Sequence, residues 1–318
     1  MLDLSIIIIN FNTRDLTMKL LESIFKYTRG VTYEVIVVDN ASEDKSVSEI
    51  KRKYRAKVTV IKNKENSGFG AGNNQAMNIA QGRYFCLLNS DTLLIGNAFE
   101  KMIEWFDQNT FVPIKSSRKI NPEEFNLSSL PHGTIKRYPI GLLGCKLLNP
   151  DRTEQYSIKR FPTLSTMFGS LFLERFIRPG MPEKITEVNY VMGAFMLLKR
   201  EVYERVGGFD EKIFMYVEET DWCYRIRKHG FSVVYWPDVS IIHYGGGSAI
   251  RGRKDQILNA FAGYRYFYRK HYKKTSYTWL IALIKIKSYS SLLFGRLTGN
   301  KYLVSTYTEA LDALKDGK

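Results

Sequence analysis

The first hundred residues alternate short runs of β-branched and aliphatic residues with stretches of helical periodicity. Four apolar runs, SIIII, YEVIVVD, KVTVIKN and YFCLLN, occupy residues 5–9, 33–39, 57–63 and 84–89. Three helical patterns separate them, at residues 16–28, 45–54 and 70–80. Continuous apolar strands that alternate with helices are typical of a parallel sheet covered on both faces. We therefore predict an α/β fold.

Polar residues follow the apolar runs directly. In a doubly wound, Rossmann-like sheet, ligands collect at the carboxyl ends of the strands. Asn10 and Asn12 follow the first run, and Asp39, Asn40 and Ser42 stand in VVDNAS after the second. A carboxylate there can accept a hydrogen bond from the imide of a pyrimidine base, or these residues can simply cap the next helix. The sequence thus predicts a nucleotide-binding half.

The segment ENSGFGAGNNQAM lies between the third run and the third helix. Its glycine spacing does not match the dinucleotide fingerprint, so we expect no nicotinamide cofactor. Gly68 and Gly70 allow close backbone approach, and Asn66 and Asn73 lie near a helix start, where N–H groups favour phosphate or ribose oxygens. We expect this segment to contribute to nucleotide binding.

A candidate cation site follows the fourth run. YFCLLNSDT ends with one carboxylate, Asp91, preceded by Asn89 and Ser90. Mg²⁺ and Mn²⁺ take oxygen ligands and bridge to a diphosphate, so one or two protein carboxylates suffice. His243 ends a later run, PDVSIIHYGGGS, whose glycines leave room for a phosphate or a metal. The simpler alternatives are a turn aspartate and a structural histidine.

Three carboxylates, Glu218, Glu219 and Asp221, fall within four positions at the start of a predicted amphipathic helix, in YVEETDWCYR. Acidic residues at a helix N-terminus are favoured by the helix dipole, so ordinary capping is one explanation. Crowded carboxylates also raise the pKa of one member toward the value useful for a general base. Because a hydroxyl group that acts as a nucleophile needs such a base, this cluster is the candidate catalytic centre.

The net charge of +15 is concentrated near the end of the chain. Residues 250–318 carry 14 Lys and Arg against 4 Asp and Glu. Within them, residues 259–297 alternate aromatic and aliphatic residues with Lys and Arg, over enough length for one or two amphipathic helices. Such helices lie in a membrane interface and are attracted to anionic lipid, or they pack on the catalytic domain as ordinary solvated helices.

We divide the chain into a domain at 1–250 and a basic, aromatic-rich helical region at 251–318. The domain comprises a nucleotide-binding half at 1–106, an insertion without periodicity at 107–137, and a mixed second half with the candidate catalytic cluster at 138–250. No basic segment precedes the short N-terminal apolar run, so no signal peptide is predicted. No run approaches the roughly 18 apolar residues of a membrane span. We expect a cytoplasmic protein.

Seven segments, taken in order, resemble glycosyltransferase family 2, and particularly its rhamnosyltransferase-like branch. They cover most of residues 4–249 and read SIIIINFN, VVDNASED, NSGFGAGNNQAM, LLNSDT, VMGAFMLLKREVYERVGGFDE, FMYVEETDWCYR and IIHYGGGS. The resemblance implies a GT-A fold, a Rossmann-like nucleotide-binding half fused to a mixed-sheet acceptor half. A C-terminal amphipathic helical region would follow this domain.

The resemblance also implies an activity. The enzyme would be inverting and would use a dTDP-, UDP- or GDP-sugar, of rhamnose as in that branch or of another hexose, with Mg²⁺ or Mn²⁺. Its acceptor would be a hydroxyl of a glycan or a lipid-linked glycan, in cell-surface polysaccharide synthesis. We expect it to be peripheral on the inner face of the cytoplasmic membrane, with an anionic surface bound through residues 259–297.

The resemblance assigns roles on the donor side. Asp39 would contact the base. Asn89 and Asp91 would stand at the DxD-like metal and diphosphate position, and His243 would add a metal or diphosphate contact. The common pattern LNPDT reads LNSDT here, which leaves metal binding chiefly to Asp91.

The resemblance also assigns the base. The usual Glu-Asp pair reads Glu218-Glu219 in this chain, so the base would be Glu219. Asp221 is the alternative base, and Glu218 would orient the acceptor or its neighbours.

Two other classes of protein share parts of the pattern. A nucleic-acid-binding protein would explain the charge, but it leaves Asp91, the acidic cluster and His243 without a role, so no nucleic acid is expected. A catalytically silent sugar-binding or scaffold protein would keep the same motifs. Hydrolysis of a nucleotide-sugar with added Mn²⁺ separates both classes from a transferase.

Overall fold

The computed structural model describes residues 1–110, 138–173, 180–246 and 253–315. Residues 111–137, most of the predicted insertion, lie outside the described residues. Residues 247–252, which include the last glycine of the run after His243, also lie outside the described residues.

The described residues form twelve β-strands. In chain order they are β1 (Leu2–Asn10), β2 (Tyr33–Asp39), β3 (Thr59–Lys62), β4 (Gly82–Asn89), β5 (Thr92–Leu94), β6 (Ile140–Leu148), β7 (Glu154–Gln155), β8 (Ile158–Lys159), β9 (Thr186–Val188), β10 (Tyr190–Val191), β11 (Phe195–Lys199) and β12 (Ser232–His243).

The same parts of the chain form ten α-helices. They are α1 (Arg14–Tyr27), α2 (Ser46–Tyr54), α3 (Phe69–Ile79), α4 (Ala98–Gln108), α5 (Leu164–Phe168), α6 (Arg200–Val206), α7 (Glu218–Lys228), α8 (Arg253–His271), α9 (Lys274–Leu297) and α10 (Lys301–Lys315). A π-helical turn, Gly169–Leu173, follows α5. Residues 107 and 108, placed in the insertion by the sequence analysis, complete α4.

The four N-terminal apolar runs form neighbouring parallel strands, in the order β3-β2-β1-β4. Alternate residues of β1 face opposite sides of the sheet. Ile6 and Ile8 pack with residues of α1, α2 and α4, whereas Ile7 packs with residues of α3, α6 and α7. Both faces are covered, which is why the strands read as continuous apolar runs. The predicted α/β fold is confirmed.

β11 carries the sheet into the second half, because it pairs antiparallel with β4 and with β6. β12 then runs parallel to β6, and β5 closes the order as an antiparallel partner of β12. The mixed character predicted for this half is confirmed. Residues 189–209, predicted as strand, turn, strand and helix, contain β10, β11 and α6.

The C-terminal helices pack on the same face of the sheet as α7. Phe267 and Tyr268 of α8 are fully buried, as are Leu280 and Ile284 of α9. All four join the hydrophobic cluster that contains Trp222 of α7. The region is helical, as predicted, and α8 is part of the core. Among the described helices, none combines the length and the apolar character needed to cross a bilayer.

Replacing Phe267 with alanine tests whether α8 belongs to the core. We expect the free energy of unfolding to fall by about 3–5 kcal/mol, because the change leaves a cavity. The matched control is Phe294→Ala in α9, since Phe294 is 60% exposed and its loss should cost less than about 0.5 kcal/mol. Urea unfolding measures both variants, and equal effects would contradict the assignment.

Candidate active site

The carboxyl ends of β1, β2 and β4 lie side by side at one edge of the sheet. The parallel register pairs Asn10 with Asp39 across β1 and β2, and Ile9 with Asn89 across β1 and β4. Polar residues that follow three separate apolar runs are therefore brought together, as the sequence predicts for parallel strands.

Asn10 joins the ends of the first two strands through its side chain. Its Nδ2 donates to Asp39 Oδ2 at 2.6 Å and to Ser42 Oγ at 3.0 Å, while its Oδ1 accepts from the hydroxyls of Thr13 and Thr17. The Ser42 N–H donates to Asp39 Oδ1 at 3.0 Å. Asp39 is fully buried and held in one orientation. Each carboxylate oxygen has a second lone pair, so Asp39 can accept a further donor.

Asn12 and Ser90 extend this network to the neighbouring loops. The Asn12 N–H donates to Ser42 Oγ at 2.9 Å, and Asn12 Oδ1 accepts from the Glu43 N–H at 2.8 Å. Ser90 Oγ accepts from the Thr13 hydroxyl at 2.8 Å. The predicted nucleotide-side residues at these strand ends thus bind one another, which fixes the shape of the edge.

Asn40 holds the glycine-rich segment against the end of β2, because its Nδ2 donates to Gly68 O at 3.1 Å. Gly68 has φ +87°, and a β-carbon there would lie 2.3 Å from Phe214 O. A β-carbon on Gly70 would lie 2.9 Å from Phe209 Cβ. The sequence predicts that these glycines let a ligand approach the backbone closely. In the structure they permit close approach of the chain's own segment 209–214.

Asn66 and Asn73 lie within this segment. Asn66 Oδ1 accepts from the Gly68 N–H at 3.0 Å, which closes the turn before α3. Asn73 is buried, and its Nδ2 donates to Phe69 O at 2.9 Å, but its Oδ1 has no partner among the described residues. Since a buried acceptor without a partner is costly, Asn73 Oδ1 is suited to accept a donor from a ligand.

The pairing of β12 with β5 brings His243 beside Asp91. Their antiparallel register aligns His243 with Thr92. His243 Nε2 lies 3.4 Å from Asp91 Oδ1 and 3.5 Å from Asn89 Nδ2. Both Asp91 and His243 are buried. The two metal residues predicted from separate motifs therefore meet at the edge formed by β1, β2 and β4.

Gln155 of β7 orients the imidazole. Its Nε2 donates to Asn149 Oδ1 at 3.0 Å, so its Oε1 faces His243 Nδ1, at 2.7 Å. In the neutral imidazole, Nδ1 then carries the proton and the Nε2 that faces Asp91 keeps the lone pair. Histidines that bind metals commonly donate their other N–H to such a partner.

The donor set at Asp91 and His243 fits a divalent cation. Two adjacent ligands on one ion, with bonds of about 2.1 Å, lie about 3 Å apart, close to the observed 3.4 Å. In the described parts of the chain, no group of three His, Cys, Asp or Glu could hold a metal. A cation here would therefore need oxygens from water or a ligand, such as a diphosphate.

The carboxylate cluster follows directly after a strained turn. Tyr216 and Val217 have φ of 64° and 79°, a left-handed conformation that is unfavourable for a β-branched valine. α7 begins at the next residue, Glu218. A β-carbon on Gly263 of α8 would lie 2.7 Å from Tyr216 O, so α8 packs directly against this turn. Packing of this kind is what maintains such strain.

Glu219 lies near the end of β4. A β-carbon on Gly193 would lie 4.0 Å from Glu219 Cβ. The next residue, Ala194, accepts the Asn89 N–H at 3.3 Å through its carbonyl oxygen. Residues 193–194 therefore lie between the carboxylate cluster and the end of β4, the strand that precedes Asp91.

Glu218 and Glu219 differ in environment. Glu218 is buried, its Oε2 has no partner among the described residues, and burial together with the Glu219 charge raises its pKa well above the ordinary range. Burial also raises the pKa of the half-buried Glu219, but backbone hydrogen bonds and the Lys159 charge oppose that rise. When two carboxyls interact, the proton stays on the one with the higher pKa. Glu218, the more buried of the two, therefore favours the protonated form more strongly than Glu219 does.

Asp221 is fully buried among basic side chains. It accepts from Arg225 Nε at 2.8 Å and from His271 Nε2 at 2.6 Å, and it lies 2.9 Å from Lys270 Nζ. Burial favours a higher pKa for Asp221, but the His271 hydrogen bond and the Arg225 and Lys270 charges hold the pKa well below its usual range. A carboxylate so held is a poor proton acceptor, which weighs against Asp221 as the alternative base. Its hydrogen bonds with Lys270 and His271 connect α7 to α8.

No sequence motif predicts the contacts that Gln155, Lys270 and His271 make at the site. The residues around Gln155, DRTEQYS, match no motif, and the two basic residues lie in a region interpreted as lipid-binding. The Asp221–Arg225 pair could have been found, because side chains four residues apart on a helix are neighbours.

Comparison with known proteins places this geometry in a family. The family model described as Glycosyl transferase family 2 matches residues 5–207. Agl10, the low-salt glycan biosynthesis hexosyltransferase of Haloferax volcanii, is 26% identical over 320 residues, with 93% of this chain and 91% of the relative covered.

Two shorter matches are to rhamnosyltransferases. WbbL of Escherichia coli is 31% identical over 122 residues, which cover 37% of this chain and 46% of WbbL. The N-acetylglucosaminyl-diphospho-decaprenol L-rhamnosyltransferase of Mycobacterium tuberculosis is 29% identical over 134 residues, with 36% and 41% covered. The match spans less than half of each of these two relatives.

A solved structure has the same fold. It is a mannosyltransferase from Pyrobaculum calidifontis in complex with GDP-Man and Mn²⁺, with a TM-score of 0.54 and 16% identity over 99% of this chain and 83% of that one. This likeness confirms the predicted GT-A fold. The family model covers more than half of the chain and confirms the predicted enzyme class, a glycosyltransferase. The chain belongs to glycosyltransferase family 2.

Proposed function

We propose that the chain transfers a sugar from a nucleoside-diphosphate sugar to a hydroxyl of a glycan or lipid-linked glycan, with inversion at the anomeric carbon. One observation carries the proposal. The turn at 193–194 lies beside Glu219 and bonds the end of β4, the strand that leads to the Asp91–His243 pair, so a candidate base and a candidate cation site occur at the same edge of the sheet.

The donor would be a dTDP-, UDP- or GDP-sugar. Asp39, held by Asn10 and Ser42, keeps lone pairs for an N–H of the base, which supports the expected contact. The rhamnosyltransferases among the relatives make rhamnose the first sugar to test.

Asp91 and His243 would hold Mg²⁺ or Mn²⁺ together with the donor diphosphate. When bound, the cation would supply a Lewis acid that neutralises the charge developing on the departing nucleoside diphosphate. The His243 tautomer set by Gln155 supports this role, because it leaves an unprotonated nitrogen facing Asp91.

Glu219 is the proposed general base. It accepts the proton of the acceptor hydroxyl as that oxygen bonds to the anomeric carbon, while the bond from this carbon to the diphosphate oxygen breaks. A single displacement from the opposite face inverts the configuration. The protonated Glu218 can donate a hydrogen bond, which supports a role in orienting the acceptor or its neighbours.

The acceptor is proposed to belong to cell-surface polysaccharide synthesis, at the inner face of the cytoplasmic membrane. One relative carries N-acetylglucosaminyl-diphospho-decaprenol in its name. That name supports a lipid-linked acceptor, and a lipid-linked acceptor requires the enzyme to work at a membrane surface.

Glu219→Gln and Glu218→Gln form a matched pair of variants. We expect Glu219→Gln to lower kcat by about 10²–10⁴-fold, because it removes the proton acceptor, and Glu218→Gln to keep kcat within about tenfold, because it replaces a protonated carboxyl with an amide. A screen of nucleotide-sugars with Mn²⁺ identifies the donor for these assays. The opposite ranking would assign the base to Glu218.

The pH dependence provides a second test of Glu219. Its pKa is raised, and a base must be ionised, so kcat/KM should fall as the pH drops through a value above the ordinary glutamate pKa of about 4.3. Asp221→Asn should keep this acid limb even where it lowers stability. An acid limb at or below the ordinary value would contradict the role of Glu219.

Gln155→Leu tests the orientation of His243. We expect Mn²⁺ binding in the presence of a nucleoside diphosphate to weaken by about 10–100-fold, because the imidazole loses the acceptor that fixes its tautomer. Calorimetric titration measures this, with His243→Ala as the reference and the exposed Gln81→Leu as the control. Unchanged affinity in His243→Ala would refute the metal site, and unchanged affinity in Gln155→Leu alone would refute the orienting role.

A further inference from the structure

Helix α9 is apolar on two opposite sides. Leu280 and Ile284 are fully buried in the core. The other side carries five large side chains that are 57–79% exposed. They are Trp279, Ile286, Tyr289, Leu293 and Leu297. A surface helix normally buries its apolar side and presents a polar side to solvent, whereas the outer face of α9 is apolar and has no partner among the described residues.

The exposed residues form one continuous stripe. At 3.6 residues per turn they fall within an arc of about 80° and extend over about 27 Å of the helix. A second exposed aromatic group contacts α9 on another side, through Lys287. Phe168 is 48% exposed, its ring lies 5.2 Å from that of Phe172, and Lys287 Nζ of α9 lies 5.8 Å from the Phe172 ring.

The charge around the stripe is of one sign. Between Asp255 and Glu309 the sequence contains nine Lys and Arg and no Asp or Glu. Lys285 and Arg296 are exposed and stand eleven residues apart, which places them on the same flank of the stripe. Lys274 begins the helix. An apolar stripe bordered by cations is the arrangement of helices that lie in the interface of an anionic bilayer.

α8 does not share this character. Its aromatic residues Phe267 and Tyr268 are fully buried, and Arg265 donates to Ala313 O of α10 at 3.1 Å. The aromatic and basic residues of 259–297, which look alike in sequence, thus divide into a helix that belongs to the core and a helix with a free apolar face.

We propose that the outer face of α9 binds an anionic lipid surface, with Trp279, Ile286 and Leu293 at the acyl boundary and Lys285 and Arg296 at the headgroups. Charge favours lipid over a second copy, because two chains of +15 repel each other whereas anionic lipid attracts both. Trp and Tyr also prefer the bilayer interface. The inference rests on the membrane location of the proposed function and not on the transfer reaction.

Co-sedimentation with vesicles tests the face directly. The wild type should bind vesicles of phosphatidylcholine with 30 mol% phosphatidylglycerol, and bind pure phosphatidylcholine more weakly. Ile286→Glu/Leu293→Glu should bind the anionic vesicles at least about tenfold more weakly, because both apolar contacts are replaced by charges of the wrong sign. Both side chains are more than half exposed, so the fold should tolerate the change, which thermal unfolding verifies.

Two further variants separate the apolar and electrostatic contributions. Ile79→Glu changes an exposed isoleucine of α3 and should bind like the wild type. Lys285→Gln/Arg296→Gln should lose about fivefold in binding for each charge removed, and its binding should depend less on salt.

Three results would overturn the proposal. They are absence of binding by the wild type, equal binding by Ile286→Glu/Leu293→Glu, and a stable wild-type dimer that this variant dissociates. Mn²⁺-dependent binding of a nucleoside diphosphate, measured on the same samples without vesicles, tests the donor site separately. A variant that loses vesicle binding and keeps nucleotide binding therefore reports on the surface alone.

Discussion

The site depends on the backbone pairing of β4, which has a parallel partner on one side and an antiparallel partner on the other. β1 aligns the end of β4 with the nucleotide-side residues, and the turn before β11 accepts the Asn89 N–H through Ala194. A β-carbon built on Gly193 of the same turn would lie 4.0 Å from Glu219 Cβ, so the turn lies beside the carboxylate cluster. The backbone pairing of the sheet, rather than flexible side chains, therefore sets the position of this turn between the two halves of the site.

Three carboxylates within four residues acquire different properties from their surroundings. Glu218 is buried without a partner for Oε2, which raises its pKa well above the usual range. Glu219 lies closer to solvent and to Lys159, so it can ionise. Asp221 points to the other side of α7 and is neutralised by Arg225, Lys270 and the hydrogen bond from His271. Environments that separate the pKa values of neighbouring carboxyls define which one acts as acid, base or structural anchor.

The C-terminal helices therefore contribute to the site as well as to the surface. α8 contacts the strained turn at Tyr216 and binds Asp221 through Lys270 and His271, so it supports both sides of the N-terminus of α7. α9 covers the core with one face and presents a second apolar face outward. Two consecutive helices thus connect the proposed catalytic carboxylates with the proposed lipid-binding surface.

The sequence by itself determined the parallel strands, the residues at their ends and the family, because strand periodicity and strand-end motifs are local properties of the chain. It also placed Asp91, His243 and Glu219 among the candidates. The resemblance already ranked Glu219 ahead of Asp221, but only the tertiary structure gave a physical reason for that ranking, showed the contact of Gln155 with His243, and separated α8 from α9. These outcomes depend on burial and on partners distant in sequence, and a pKa, a tautomer or an exposed face is a property of what surrounds a residue.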